Sequence, residues 1–159
     1  MQLEAFFMHI ALMLTYAVHY LSALLIATYA IGILVFESEI QKRSPDSEEY
    51  IILSKRMFQF NRIVMFITVV LLLTGGFLGT PYFKAMMIWI YAKVGLFIAL
   101  TALQGALASR AMKQRILSVE SGTIDTQALA KAQKKINIFM TLQIGIVAII
   151  FTLAYTKPF

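Results

Sequence analysis

The sequence predicts an all-α membrane protein: one domain, residues 1–159, built as a bundle of four transmembrane helices. Hydrophobic residues make up 60% of the chain and charged residues 14%, where a soluble domain averages about 25% charged. A single core of this size cannot hide so much apolar surface, so lipid must be the solvent for part of it. Uncharged runs long enough to cross a bilayer recur along the chain, and the basic residues crowd into the segments between them, which is a topology pattern. The net charge of +6 therefore does not read as a nucleic-acid footprint, and no stacking aromatics are interleaved with the basic residues.

The first span runs from about Ala5 to Phe36 without a formal charge. This exceeds the roughly 20 residues a bilayer requires, so the helix tilts or projects. A polar segment from Glu37 to Arg62 follows. Within it Ser44-Pro45-Asp46 marks a turn or helix start, and Ser47 to Phe60 is expected as an amphipathic helix leading into the second span. That span covers about 63–80, its apolar run ending Gly75-Gly76-Phe77-Leu78, and Gly79-Thr80-Pro81 is expected to close it. The third span covers about 85–109, interrupted only by Lys93. A second charged loop, Arg110 to Lys135, contains Ser121-Gly122 and an Ala/Lys/Gln stretch that favours helix. The fourth span covers about 136–155, before Lys157-Pro158-Phe159.

Counting charges orients the bundle. The first charged segment holds five Lys/Arg and the second six, against Lys84 and Lys157 on the other side. That asymmetry places both loops in the cytoplasm and both termini outside. The start of the chain does not read as a cleavable signal peptide, because Glu4 is its first charge and no basic region precedes the apolar run. The absence of cysteine excludes disulfides, thiolate metal sites, iron–sulfur clusters and covalent haem attachment through CxxCH.

Few groups in the spans can carry chemistry. Lys93 sits about eight residues into the third helix, on the order of 12 Å below its start. There it must face a cavity, a partner or the bundle interior, or snorkel outward along its stem. The two histidines, His9 and His19, both lie on the first helix. Separated by about 80° around the axis and roughly 15 Å along it, they cannot hold one iron from both sides. His9, Met13, Tyr16 and Tyr20 share one face, with Thr15, His19 and Ser22 to its side. Lys93, Phe97, Leu100 and Gln104 repeat that spacing on the third helix. The first and third helices run in the same direction, so His9 is expected near the level of Lys93 and Tyr20 near Gln104, across a partly polar seam. The plainer alternative is that these polar groups only join helices. No span contains an acid by this reading, which leaves no paired carboxylates for proton transfer. No phosphate loop, dinucleotide fingerprint, GxSxG or HExxH occurs. Met13, Met86 and Met87 are the methionines placed where a soft ligand for haem or Cu(I) would matter.

These residues resemble the HemJ-type protoporphyrinogen oxidases and their relatives, including the CopD-type copper-resistance membrane domain. The likeness rests on Phe7-Met8-His9-Ile10, on Arg62 followed by an apolar run to Gly76, on Trp89-Ile90-Tyr91-Ala92-Lys93 and on the closing Lys157-Pro158-Phe159. The resemblance implies a haem-b membrane protein that oxidises protoporphyrinogen IX and passes electrons onward. It implies His9 as the family's helix 1 histidine and metal ligand, with Lys93 as its catalytic partner. Arg62, His19 and Gln104 join them as cofactor-binding candidates. Gln104 stands where family members tend to carry a histidine, and the family's second-helix proline has no counterpart here. The axial ligands implied are His9 or His19 with a Met, or histidines from two subunits. The setting implied is a bacterial inner membrane, with lipid and a homo-oligomer or larger membrane complex as partners. Two other readings remain: a non-enzymatic accessory subunit of a larger membrane complex, and a copper-handling protein.

Overall fold

The computed structural model describes residues 2–120 and 124–156. Ser121-Gly122 and the closing Lys157-Pro158-Phe159 fall outside them. The elements are α1 (Gln2–Gln41), α2 (Glu48–Lys84), α3 (Ile88–Leu103), a π-helical segment (Gln104–Ser109), α4 (Arg110–Glu120) and α5 (Thr126–Thr156). No strand occurs among the described residues. Among the described residues four stretches are long and apolar enough to cross a membrane: Leu3–Gln41, Glu48–Lys84, Ile88–Glu120 and Thr126–Thr156. The all-α four-helix expectation holds, and the chain is a multi-pass membrane protein.

The helices overrun the expected spans because the charged segments are helical too. α2 starts at the predicted turn: the Ser47 side chain caps it by accepting from Tyr50 N at 3.2 Å, while Glu48 and Glu49 complement the dipole in its first turn. Just before the cap, the Ser44 hydroxyl donates to the Asp46 carboxylate and holds that carboxyl below its usual range. The other end corrects the sequence reading, since α2 continues through Gly79-Thr80-Pro81 to Lys84. Proline removes the donor that the carbonyl four residues earlier needs. Here the Thr80 hydroxyl supplies one, donating to Phe77 O at 2.9 Å. The helix stops one turn later, where Met86 takes a positive φ of 53°. Met86 N donates to Phe83 O at 3.0 Å and Met87 N to Tyr82 O at 3.1 Å, the bond pair of a left-handed helix terminus.

The third crossing also extends beyond its expected end. At Gln104 the helix widens by one residue per turn, the Ser109 hydroxyl donates to Gln104 O at 2.8 Å, and α4 carries on in line to Glu120. Ala111, Met112, Arg115, Ile116 and Val119 are buried, so much of the expected charged loop is the inner end of the bundle. α5 starts correspondingly early, with the Asp125 carboxylate accepting from Ala128 N at 2.9 Å.

Packing decides which helices are neighbours. α1 packs on α2 and α5, α3 packs on α2 and α5, and α1 and α3 make no backbone-level contact. Antiparallel helices joined by short connections pack side by side, which puts α1 and α3 at opposite corners. The direct seam expected between them is therefore replaced by a space across the bundle's diagonal. Tyr29, Met57, Leu100, Ile136 and Phe139 fill that space along the middle and inner length, each almost fully buried. The α2–α3 turn is held by Tyr82 against Trp89, with ring centroids 5.1 Å apart, and by Tyr91 donating to Phe83 O at 3.2 Å.

Candidate functional site

At the outer end the diagonal space is not filled. A cavity of about 380 Å³ lies there among all four corners, with His19 of α1, Gly75 and Gly76 of α2, Lys93 of α3 and Ile150 of α5 in its wall. Tyr16, Tyr20 and Tyr82 line it and are themselves exposed, so the cavity reaches the protein surface past an aromatic rim. Its volume falls in the range of about 300–1,000 Å³ usual for small-molecule sites.

His19 is the most constrained group in the cavity. Its Nδ1 lies 3.1 Å from the Thr74 hydroxyl. That hydroxyl also lies 2.9 Å from Val70 O, and when it donates there it accepts from His19, whose Nδ1 then carries the hydrogen. Nε2 is left with the lone pair. Gly75 makes the approach possible, because a Cβ there would sit 3.0 Å from His19 Cε1 and 3.6 Å from Nδ1. At Gly76 a Cβ would meet nothing within 4 Å, so the space beside that glycine is open. Gly75→Ala is expected to displace the ring and cost about 1–3 kcal/mol by overpacking. Gly76→Ala is expected to be neutral or to gain up to about 1 kcal/mol from helix propensity. Thermal unfolding in detergent compares the two, and equal midpoints would rule out the Gly75–His19 contact.

Opposite His19, Lys93 is half-buried and holds its Nζ 5.4 Å from the centre of the Trp89 ring, one helical turn earlier. A cation at that distance gains from the ring's face, and Lys93 is also part of the cavity wall.

The other candidates lie elsewhere. Counted outward from the His19–Thr74 pair, His9 is ten residues away on α1 and Lys84 ten residues away on α2. His9 is therefore at the level of the α2–α3 turn, about 15 Å outside His19. It is exposed, like every residue from Leu3 to Leu14, and α1 overhangs the bundle there. This corrects the expected match of His9 with Lys93: counting from the start of each apolar run ignores that overhang, and His19 takes the place. Arg62 is exposed at the surface of α2. Gln104 is fully buried but bonded to Thr68 of α2, with 3.2 Å between Thr68 Oγ1 and Gln104 Oε1. Tyr20, expected beside it, lines the outer cavity instead. Met13 and Met86 are exposed and Met87 is half-buried, none in the cavity wall. Among the described residues no three His, Cys, Asp or Glu come together as a metal centre.

Two polar centres were not anticipated. In mid-bundle, Tyr29 donates to Asn61 Oδ1 at 2.6 Å, and Asn61 Nδ2 donates to Ser109 Oγ at 2.9 Å, which continues to Gln104 O. Near the inner end, Glu37 and Arg115 form a fully buried ion pair across the diagonal, 2.7 Å apart. The expectation that no span contains an acid thus fails, because α1 runs on through Glu37 to Gln41. Gln133 Nε2 donates to the same carboxylate at 2.6 Å, and Arg115 Nη2 rests 3.0 Å from Met57 Sδ. One signal could have found the mid-bundle centre: Asn61, Thr68 and Thr74 recur at six or seven residues through a run that is apolar apart from Arg62, a polar line on the face that α2 turns inward.

These features define a four-helix membrane protein with a cavity lined by an imidazole and an ammonium group, and a polar interior. No family model, curated protein or solved structure matches the chain.

Proposed function

We propose that this chain is a haem-linked membrane protein of the protoporphyrinogen-oxidising kind, set in a bacterial inner membrane with both termini outside. One observation carries the reading. His19 lines a cavity with its Nδ1 held beside Thr74, and Lys93 lines the same cavity. Imidazole ligands of metals are commonly held in this way through the second nitrogen. The ligand role that the resemblance gives to His9 passes, in this proposal, to His19.

The residues fit haem b with a single imidazole ligand. Gly75 and Gly76 bring no side chain into the cavity beside His19, and the aromatic rim suits the apolar edge of a tetrapyrrole. Lys93 matches a propionate or the carboxylate of a tetrapyrrole substrate, and such pairing would offset the cost of holding an ammonium at this depth. Haem in such a site supplies one-electron redox chemistry. Thr74 keeps the imidazole in one tautomer, Gly75 sets its position, and Lys93 orients an anionic ligand. The positive-inside count supports the orientation.

The purified protein is expected to show a Soret band, or to acquire one on reconstitution with haem. Lys93→Met should weaken binding roughly tenfold, the effect of losing one charge-assisted contact of about 1.4 kcal/mol. A colourless preparation that cannot be reconstituted sinks the reading. The rival is a cofactor-free subunit of a larger membrane complex. It draws support from the outer turns of α1, where the residues from Leu3 to Leu14 are all exposed. A colourless preparation that co-purifies with a partner would favour it. The copper reading has less behind it, since the candidate methionines lie away from His19.

A further inference from the structure

Below the floor of the outer cavity lies a second polar layer, separated from it by Ile26, Leu71, Leu100 and Val147. Thr68 and Gln104 are joined in that layer. Gln143 of α5 belongs to it by register. Gln133 meets Arg115 at the inner end, 3.4 Å apart. From there Gln143 is ten residues outward on α5, and Gln104 eleven residues outward along α4 and the π-helical segment. The two climbs are about 15 and 16 Å, so both side chains reach the same depth from antiparallel helices. Both glutamines are fully buried.

Neither glutamine completes its hydrogen bonds with protein. Gln104 Nε2, Gln143 Nε2 and Gln143 Oε1 are all buried without a protein partner. A bond from one amide to the other would satisfy two of these atoms, yet it is not made, so the amides stand apart. Buried polar atoms nearly always have partners, and inside a membrane lipid cannot provide them. The helix is also opened at this point. A π-helical turn begins at Gln104, pinned by Ser109 and Asn61, and such turns occur disproportionately at functional positions.

We propose that the Thr68–Gln104–Gln143 layer is a hydrated binding site, in which at least one water bridges the side-chain amides of Gln104 and Gln143. The chemistry of the layer selects a small neutral molecule with both donor and acceptor character. No carboxylate stands in the layer, so a cation there would be uncompensated, and no Lys, Arg or His stands there to hold an anion. Water with about three hydrogen bonds is the usual occupant of such places. The site extends the polar chain that runs through Ser109 and Asn61 to Tyr29, and it does not depend on whether haem binds above it.

Magnetisation transfer from water to side-chain amides, measured by solid-state NMR on the full chain in lipid bilayers, tests the proposal. Both the Gln104 and Gln143 amides are expected to receive magnetisation from water within the time seen for exposed amides of the polar segments. Gln143→Leu should cut the transfer to Gln104 several-fold. Absence of transfer in the unaltered protein, or a direct Gln104–Gln143 amide bond, overturns the site. So does a Gln143→Leu protein in which the Gln104 signal is unchanged. The measurement on the unaltered chain decides the matter even if the variant folds poorly.

Discussion

His19→Ala should abolish the haem spectrum, whereas His9→Ala should leave it unchanged. The expectation rests on position. His19 is held between Thr74 and Gly75 in the cavity wall, and His9 sits exposed at the outer turn of the bundle. Loss of a group that only supports a metal ligand typically costs about 10–100-fold in affinity, and loss of the ligand itself should cost at least that. Titrating each variant with haem and following the Soret band measures the difference. Thr74→Val provides an intermediate case: the ring stays, its Nδ1 partner goes, and affinity should fall within that same range of about 10–100-fold. If His9→Ala removes the band and His19→Ala does not, the cavity is not the haem site.

The second large effect is expected far from that cavity. Glu37→Leu or Arg115→Met should each destabilise the fold by about 3–5 kcal/mol, because each leaves an unpaired charge in a dry interior. The double replacement should recover most of the loss, and in other proteins such exchanges have been neutral or stabilising by about 1–4 kcal/mol. Both partners are almost wholly excluded from solvent, at 3% and 0% side-chain exposure, so screening by water does not weaken the argument. Denaturant or thermal unfolding of the four proteins gives the coupling directly. Single variants that cost less than about 1 kcal/mol would mean the pair is wetter than the structure shows, since that is the worth of an exposed pair.

Much of the architecture was readable because it follows from composition and local chemistry. The uncharged runs dictate helices that satisfy their own backbone in lipid. Ser47 with two following glutamates marks the start of α2, and it caps there. The ends were harder to read. Pro81 looked like a stop, but a proline ends a helix only if nothing replaces its donor, and Thr80 replaces it. The charged stretch from Arg110 looked like a loop because charge was equated with solvent. Its apolar positions, Ala111, Met112, Ile116 and Val119, fall on one face and hold it in the bundle.

The site was only half legible. Lys93 and a histidine of the first helix were both singled out from residue type alone, since ionisable groups are costly in apolar spans. Which histidine meets the lysine depends on the axial offset between helices, and no residue of α1 records how far that helix overhangs its neighbours. Gly75 makes the same point. Its sequence context says small residue in a helix, and only the imidazole lying against it gives the reason.

The sequence by itself determined that this chain is a bundle of four long apolar helices with its basic residues gathered at one end, because those properties are summed over many residues and survive local error. Only the tertiary structure decided that α1 and α3 stand diagonally, that His19 rather than His9 meets Lys93, and that Glu37 closes on Arg115. These are facts about register and rotation between helices. A shift of one helix by two or three turns leaves every local propensity intact and changes every partner.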